Sequence, residues 1–380
     1  MDNKIFDKDH PRCALVFSGG VALGAYQAGA YAALHEAAGP RPGWIAATSI
    51  GAVNAAIITG NPPERRVERL RQFWGAAGRA LMPPMLPWSG LPLRGPWRAA
   101  YNWSNALQAR VFGNPGLFRP RVPPGTGWGE EPGQFDLAPL KRQLADVVDF
   151  RRLNDGELRL SVVATNVETG ERVVFDTRRN ACIGPEHLLA SCGLLPVFAP
   201  VEINGQLLAD GGFVANAPLD LVLDEHTTED TVCFVVDLFS HEGVRPGSLL
   251  AAMERAGDLI FGNQFQRILE GCQREHRLRA MIARLAQRLP PELCEDPQIA
   301  SVLAEGRAHA PTVLCLRYRA GADEAGPEKM FDFSPATLAD RWQAGALDMQ
   351  RALRLLETSP TDAPFDELTV HHVRRQASTT

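Results

Sequence analysis

Several things are missing from this sequence, and each absence excludes a class of protein. There is no excess of positive charge: 39 Lys and Arg against 44 Asp and Glu leave a formal net charge of -5. Nucleic acid is therefore not expected as a partner. No apolar stretch approaches the length of a membrane span. Residues 1–12 are charged where a signal peptide would be apolar, so a cytoplasmic location is expected. The seven cysteines are scattered, with no C-x-x-C pair and no metal-ligand spacing, and read as buried reduced thiols. Internal repeats are absent too. What remains is ordinary globular composition, 45% hydrophobic and 22% charged, in a 380-residue chain long enough for one large domain or one plus a sizeable appendage.

The chain is organised around residues 44–56. A short apolar run, Trp44-Ile45-Ala46-Ala47-Thr48, delivers Ser49, and Ile50-Gly51-Ala52-Val53-Asn54-Ala55-Ala56 follows with helical character. This predicts a strand, a very tight turn and a helix, with Ser49 held in a strained backbone conformation at the turn. Amides of the first helical turn would face it and favour negative charge. The usual form of such an elbow is G-x-S-x-G; here Ala47 replaces the first glycine and Gly51 keeps the second.

Upstream, residues 13–17 read as a buried strand that runs into Ser18-Gly19-Gly20-Val21-Ala22-Leu23-Gly24 and then a helix over 25–38. Strand, loop, helix, strand, turn, helix implies a parallel sheet covered by helices. A helix opens at Pro62 or Pro63. Residues 81–135 break the pattern, with Pro and Gly throughout and Trp88, Trp97, Trp103 and Trp128 interleaved. They read as an irregular insertion, suited to covering an apolar site or touching lipid. Order returns with a helix from 137, strands over 159–167 and 171–176, a helix near 185–191, and a hairpin at 201–206 that delivers Leu207-Leu208-Ala209-Asp210-Gly211-Gly212. A buried strand follows over 231–239. Beyond it the chain reads as mostly helical, including a basic amphipathic helix expected to dock on the core, a strand over 312–318, and a helix capped by Ser334. The expected division is a tail (1–11), a main α/β domain (12–240) and a helical C-terminal extension (241–380).

Three stretches converge at the carboxyl ends of the strands, where ligands bind in such sheets. They are the glycine loop, whose amides around Gly19, Gly20 and Val21 can point at an oxyanion, then Ser49, then Asp210 on the Gly211-Gly212 turn. A serine nucleophile needs a base. None of the nine histidines sits at a strand end beside turn chemistry, so a Ser-Asp dyad fits better.

On these residues the sequence resembles the patatin-like phospholipases. Their glycine-rich oxyanion loop, G-x-S-x-G serine and D-G-G aspartate occur here in order as 18–24, 47–51 and 210–212, with Asn216-Ala217-Pro218 similar to the family's N-x-P and residues 24–29 similar to its helix start. The resemblance covers roughly residues 12–240; the remainder resembles the C-terminal extension of a bacterial subgroup. It implies a three-layer α/β/α fold with a mostly parallel sheet. Ser49 would be the nucleophile and Asp210 the general base. Amides of Gly19, Gly20 and Val21 would form the oxyanion hole, with Gly24, Ala47, Gly51, Gly211 and Gly212 supporting it. It implies an acyl-lipid substrate hydrolysed through an acyl-enzyme, with no metal and no cofactor.

Three departures stand out. Val21 replaces a frequent third glycine, and a β-branched residue resists positive φ. Leu23 replaces a frequent arginine, and Ala47 adds a methyl at the elbow. A catalytically impaired lipid-binding or scaffold protein therefore stays open as an alternative. A nucleotide-binding protein is a lesser one, since Gly19, Gly20 and Gly24 do not match G-x-G-x-x-G and no G-K-[ST] is present. The tryptophan-rich region and the basic helix allow peripheral contact with a membrane or lipid granule, and oligomeric state is left open.

Overall fold

In the computed structural model, alternation along the first strand, β1 (Arg12–Phe17), sets the layers. Leu15 and Phe17 join one apolar cluster, Ala14 and Val16 another, and all four are fully buried. β2 (Pro42–Thr48) repeats this, with Ile45 and Ala47 on one side and Trp44 and Ala46 on the other. A strand apolar on both faces belongs in a parallel sheet between helices. The structure describes residues 12–78, 94–121, 132–179, 181–225, 231–306, 311–321, 323–358 and 368–373.

Among the described residues the sheet has nine strands. Besides β1 and β2 these are β3 (Arg159–Asn166), β4 (Arg172–Asp176), β5 (Val201–Ile203), β6 (Gln206–Asp210), β7 (Thr231–Asp237), β8 (Thr312–Arg317) and β9 (Thr369–Val373). Six of them run parallel in the order β9-β8-β7-β1-β2-β3. β4 and β6 pair antiparallel with β3, and β5 with β6. The fold is thus α/β with a mostly parallel sheet between helical layers, as expected.

One face carries α1 (Ala25–Glu36), α2 (Ile50–Thr59) and α3 (Pro63–Ala77), whose Tyr26, Ile57 and Phe73 are completely buried. The expected irregular insertion is only partly so. Gly95–Phe112 forms a helix, α4, begun by Gly95-Pro96, because proline in the first turn of a helix sacrifices no hydrogen bond. Trp88 and Trp128 lie outside the described residues. Pro185–Ser191 forms α5.

The residues expected as an extension are built into the same body. They supply β8 and β9 at one sheet edge. The long helix α6 (Leu249–Ala286) lays Phe265, Leu269 and Cys272 on the second face of the sheet. The first part of the basic amphipathic helix is therefore docked, as expected, whereas Met281 and Leu285 further along its apolar stripe are exposed. On the first face, α7 (Pro335–Thr358) crosses α1 backbone to backbone. A Cβ on Gly345 would lie 1.9 Å from the Tyr26 carbonyl oxygen, and one on Gly29 equally close to that of Trp342. Neither opposing atom can move without moving its helix.

Gly345→Ala should therefore cost about 3 kcal/mol or more, or abolish folding, by overpacking. Gly257→Ala, on α6 with nothing within 4 Å, should stabilise by about 0.5–1 kcal/mol through helix propensity. Chemical denaturation of the two variants checks this pair.

Candidate active site

β3 assembles the site through its register. Along one flank, residues 161–165 pair with β4. The other flank is shared: β2 occupies it up to Thr48, opposite Val163, and β6, arriving from the opposite direction, ends with Asp210 opposite Ala164. The residues that terminate the two strands thus meet head-on beside consecutive residues of β3. Ser49 and Asp210 follow from that meeting, and both are buried, at 7% and 3% exposure. A Cβ on Gly211 would lie 2.4 Å from the Val163 carbonyl oxygen, so the turn after Asp210 needs glycine.

Ser49 takes φ 57 and ψ -127 and directly precedes α2. Its amide donates to Ser191 Oγ (2.8 Å), whose hydroxyl donates to the Val163 carbonyl (2.7 Å). Thr48 Oγ1 donates to the Ala215 carbonyl (2.8 Å). A strained serine is held because its neighbours leave no alternative. The tight spot at Gly51 is not against Ala47: a Cβ there would lie 2.6 Å and 2.8 Å from the carbonyl oxygens of Phe17 and Ser18, at the end of β1. Ala47 is fully buried in the first-face core, so its methyl is accommodated.

Burial pushes the Asp210 carboxyl up to about 7; the Ser49 hydroxyl and the Gly212 amide, 2.7 Å from Oδ1, pull the other way by stabilising the ionised form. Cys192 also touches this pair. Its thiol is raised by burial and by the Asp210 charge, while its contact with the Ser49 hydroxyl opposes the rise. No histidine among the described residues bonds to Ser49 or Asp210 in the interactions above.

The glycine loop is clamped from behind. Gln27 Nε2 donates to the Ser18 carbonyl (2.8 Å), Asn54 Nδ2 to the Gly24 carbonyl (2.9 Å) and to Gln27 Oε1 (3.1 Å), and Trp74 Nε1 to Asn54 Oδ1 (3.0 Å). The Leu238 amide donates to Ser18 Oγ (2.9 Å). Of the three amides expected to face an oxyanion, that of Gly19 is already committed, to the Asn216 carbonyl (3.2 Å) and Oδ1 (3.1 Å). Gly20 and Val21 donate to no described residue. Gly20 has φ 159 and a Cβ there would lie 2.8 Å from Leu238 Cδ1, while Val21 holds φ 50 despite its branched side chain. Leu23 is fully buried.

Sequence reasoning located Ser49, Asp210 and the glycine loop, and the structure brings all three together. It missed Ser191, Cys192 and the Gln27–Asn54–Trp74 chain. Ser191 lies 142 residues from Ser49 and no spacing announces it. The positive end of α2, two free amides, a serine hydroxyl and a buried carboxylate facing it make an arrangement able to perform acyl transfer.

A model described as Patatin-like phospholipase matches residues 15–223, more than half of the chain and the part that holds Ser49 and Asp210. The chain belongs to the patatin-like phospholipase family. A second model, described as Patatin phospholipase, matches residues 259–364, so part of the C-terminal segment too has its counterpart among patatin phospholipases. The crystal structure of VipD from Legionella pneumophila is similar at a TM-score of 0.39 and 13% identity, over 90% of this chain and 67% of that one.

Two outcomes follow for this patatin-like site. Ser191→Ala leaves the buried Ser49 amide and Val163 carbonyl unpaired, and should cost about 1–3 kcal/mol in denaturant melts. The native Asp210 holds a proton between about pH 4 and 7 that the unfolded chain, with its ordinary value of 3.8, releases. Stability therefore falls as pH rises through that window and stays lowered above it. Asp210→Asn should recover stability above pH 7, up to a ceiling on the order of 4 kcal/mol. Asp237, also raised to about 7 by burial, shares the window in both proteins, so the difference between their stability–pH curves isolates Asp210.

Proposed function

We propose that this protein is a serine acyl hydrolase acting on lipid esters, with Ser49 as nucleophile and Asp210 as general base. Family membership supports lipid hydrolysis. The observation that carries the finer reading is a strained serine set against a buried carboxyl whose affinity for protons lies near neutrality. A base tuned there can accept the hydroxyl proton at working pH. Ser49 Oγ attacks the ester carbonyl carbon while Asp210 takes its proton. The carbonyl oxygen, now negative, meets the Gly20 and Val21 amides and the amino end of α2. The C–O bond to the alcohol breaks as Asp210 returns the proton to the leaving oxygen. A water molecule, deprotonated by the same aspartate, then attacks the acyl-enzyme; the acyl C–Oγ bond breaks, Asp210 returns the proton to Ser49 Oγ, and the fatty acid is released. Every step closes with protein groups already in place. Val21 holding positive φ supports a formed oxyanion loop over an impaired scaffold.

Lipid contact is the second part of this reading. Helix α4 buries Asn102, Ala106 and Ala109 and turns Trp97, Trp103, Leu107, Val111 and Phe112 outward, with Trp97 76% exposed. An aromatic and aliphatic helix face of this kind suits the interface of a bilayer or a lipid granule.

Hydrolysis of short-chain p-nitrophenyl esters tests the chemistry. Ser49→Ala should fall to background, and Asp210→Asn should lose at least about a thousandfold in kcat. The wild-type kcat/KM should drop tenfold per unit below an apparent pKa near 7, because only ionised Asp210 accepts the proton. A flat profile between pH 5 and 8 contradicts the assignment of the base. For the lipid face, Trp97→Ala/Trp103→Ala/Leu107→Ala should weaken vesicle co-sedimentation about tenfold or more while leaving turnover of soluble esters unchanged.

A further inference from the structure

At the opposite end of the sheet from Ser49 lies a cavity of about 440 Å³. It sits by the first residue of β2, Pro42, and by Leu158, just before β3, whereas Ser49 and Asp210 are at the carboxyl ends of their strands. Its apolar wall is Leu34, Pro42 and Leu158; its charged wall is Arg41 and Arg66, against a single lining carboxylate, Glu157.

Arg66 is the telling residue. It is 9% exposed; its Nε donates to the Asn61 carbonyl (3.0 Å), and its guanidinium also meets the Tyr31 hydroxyl. No carboxylate among the described residues pairs with it or with Arg41, which donates to the His35 carbonyl (2.6 Å). A buried guanidinium is ordinarily paired, because its desolvation otherwise goes uncompensated. Beside it, the Tyr31 hydroxyl is buried against the Arg66 guanidinium. The 15-residue helix α3 begins at the same cavity with Pro63, and no side chain caps its amides. Its amino end adds partial positive charge on the same side. His35, stacked on Tyr31, has its pKa lowered first by burial and then by the Arg41 and Arg66 charges. The positive charge of the two arginines at this cavity favours an anion there.

We infer that this cavity is a second binding site, separate from Ser49, for a small amphiphilic anion. Its anionic head rests on Arg66, Arg41 and the Tyr31 hydroxyl, and its apolar body on Leu34, Pro42 and Leu158. Head and tail are both required: the guanidiniums supply charge and hydrogen bonds, and the hydrophobic wall supplies contact that a bare ion cannot use.

Isothermal titration of the full chain with octanoate, octanol and inorganic phosphate tests the site. Octanoate should bind at one site outside the catalytic centre and weaken at least tenfold in Arg41→Gln/Arg66→Gln. Octanol should show no dependence on the arginines, and phosphate should bind at least tenfold more weakly than octanoate. Unchanged octanoate affinity in the double variant overturns the proposal, as does no binding to the wild type. Phosphate binding as tightly as octanoate overturns the amphiphilic reading. If the double variant does not fold, Arg41→Glu, at a half-buried position, carries the same comparison. Circular dichroism and ester hydrolysis should stay unchanged in whichever variant is used.

Discussion

Two strands that approach each other along one flank of β3, and stop at neighbouring residues of it, are the constraint on which the site depends. Thr48 opposite Val163 and Asp210 opposite Ala164 leave no room for another residue between them. The chain must turn away sharply at both ends. One turn becomes the strained elbow at Ser49, and the other the glycine pair after Asp210. Ser49 and Asp210 therefore face each other because of hydrogen-bond register, a property of the backbone. Side chains then refine the arrangement: Ser191 holds the elbow amide, and Asn216 holds the first glycine of the loop.

Burial at this meeting point has two consequences of opposite sign. It lifts the Asp210 carboxyl to about 7, where a carboxylate becomes a useful base at neutral pH. It also means that ionising the group in the native state costs more than in the unfolded chain, so stability is sacrificed at working pH. The rest of the body offsets that cost with close packing, of which the α1–α7 crossing at Gly29 and Gly345 is the tightest instance. The Gln27–Asn54–Trp74 chain serves a related end, fixing the carbonyls of the glycine loop so that its free amides can point outward.

Most of the central fold was legible because buried parallel strands are short apolar runs broken by glycine, and β1, β2 and β7 have that form. The elbow and D-G-G turn were legible for the same reason: unusual backbone geometry needs particular small residues. Less legible was anything produced by long-range packing. Gly95-Pro96 reads as loop in sequence, yet it starts an 18-residue helix. Residues 369–373 carry two histidines and look like tail, but β8 recruits them as an edge strand. Ser191 and Gln27 are common residues in ordinary contexts, and only three-dimensional proximity gives them a role. The contact that makes Gly51 necessary was not legible either, since the crowding comes from the end of β1.

The central claim is that Ser49 is an activated nucleophile facing Asp210 and a formed oxyanion loop. Labelling with a fluorophosphonate, followed by peptide mass mapping, reads that state directly, because such probes react with a serine that is both activated and served by oxyanion donors. The account predicts a single modified residue, Ser49, with labelling abolished in Ser49→Ala and strongly reduced in Asp210→Asn. Absence of label on folded wild-type protein, or labelling at another serine, would contradict it.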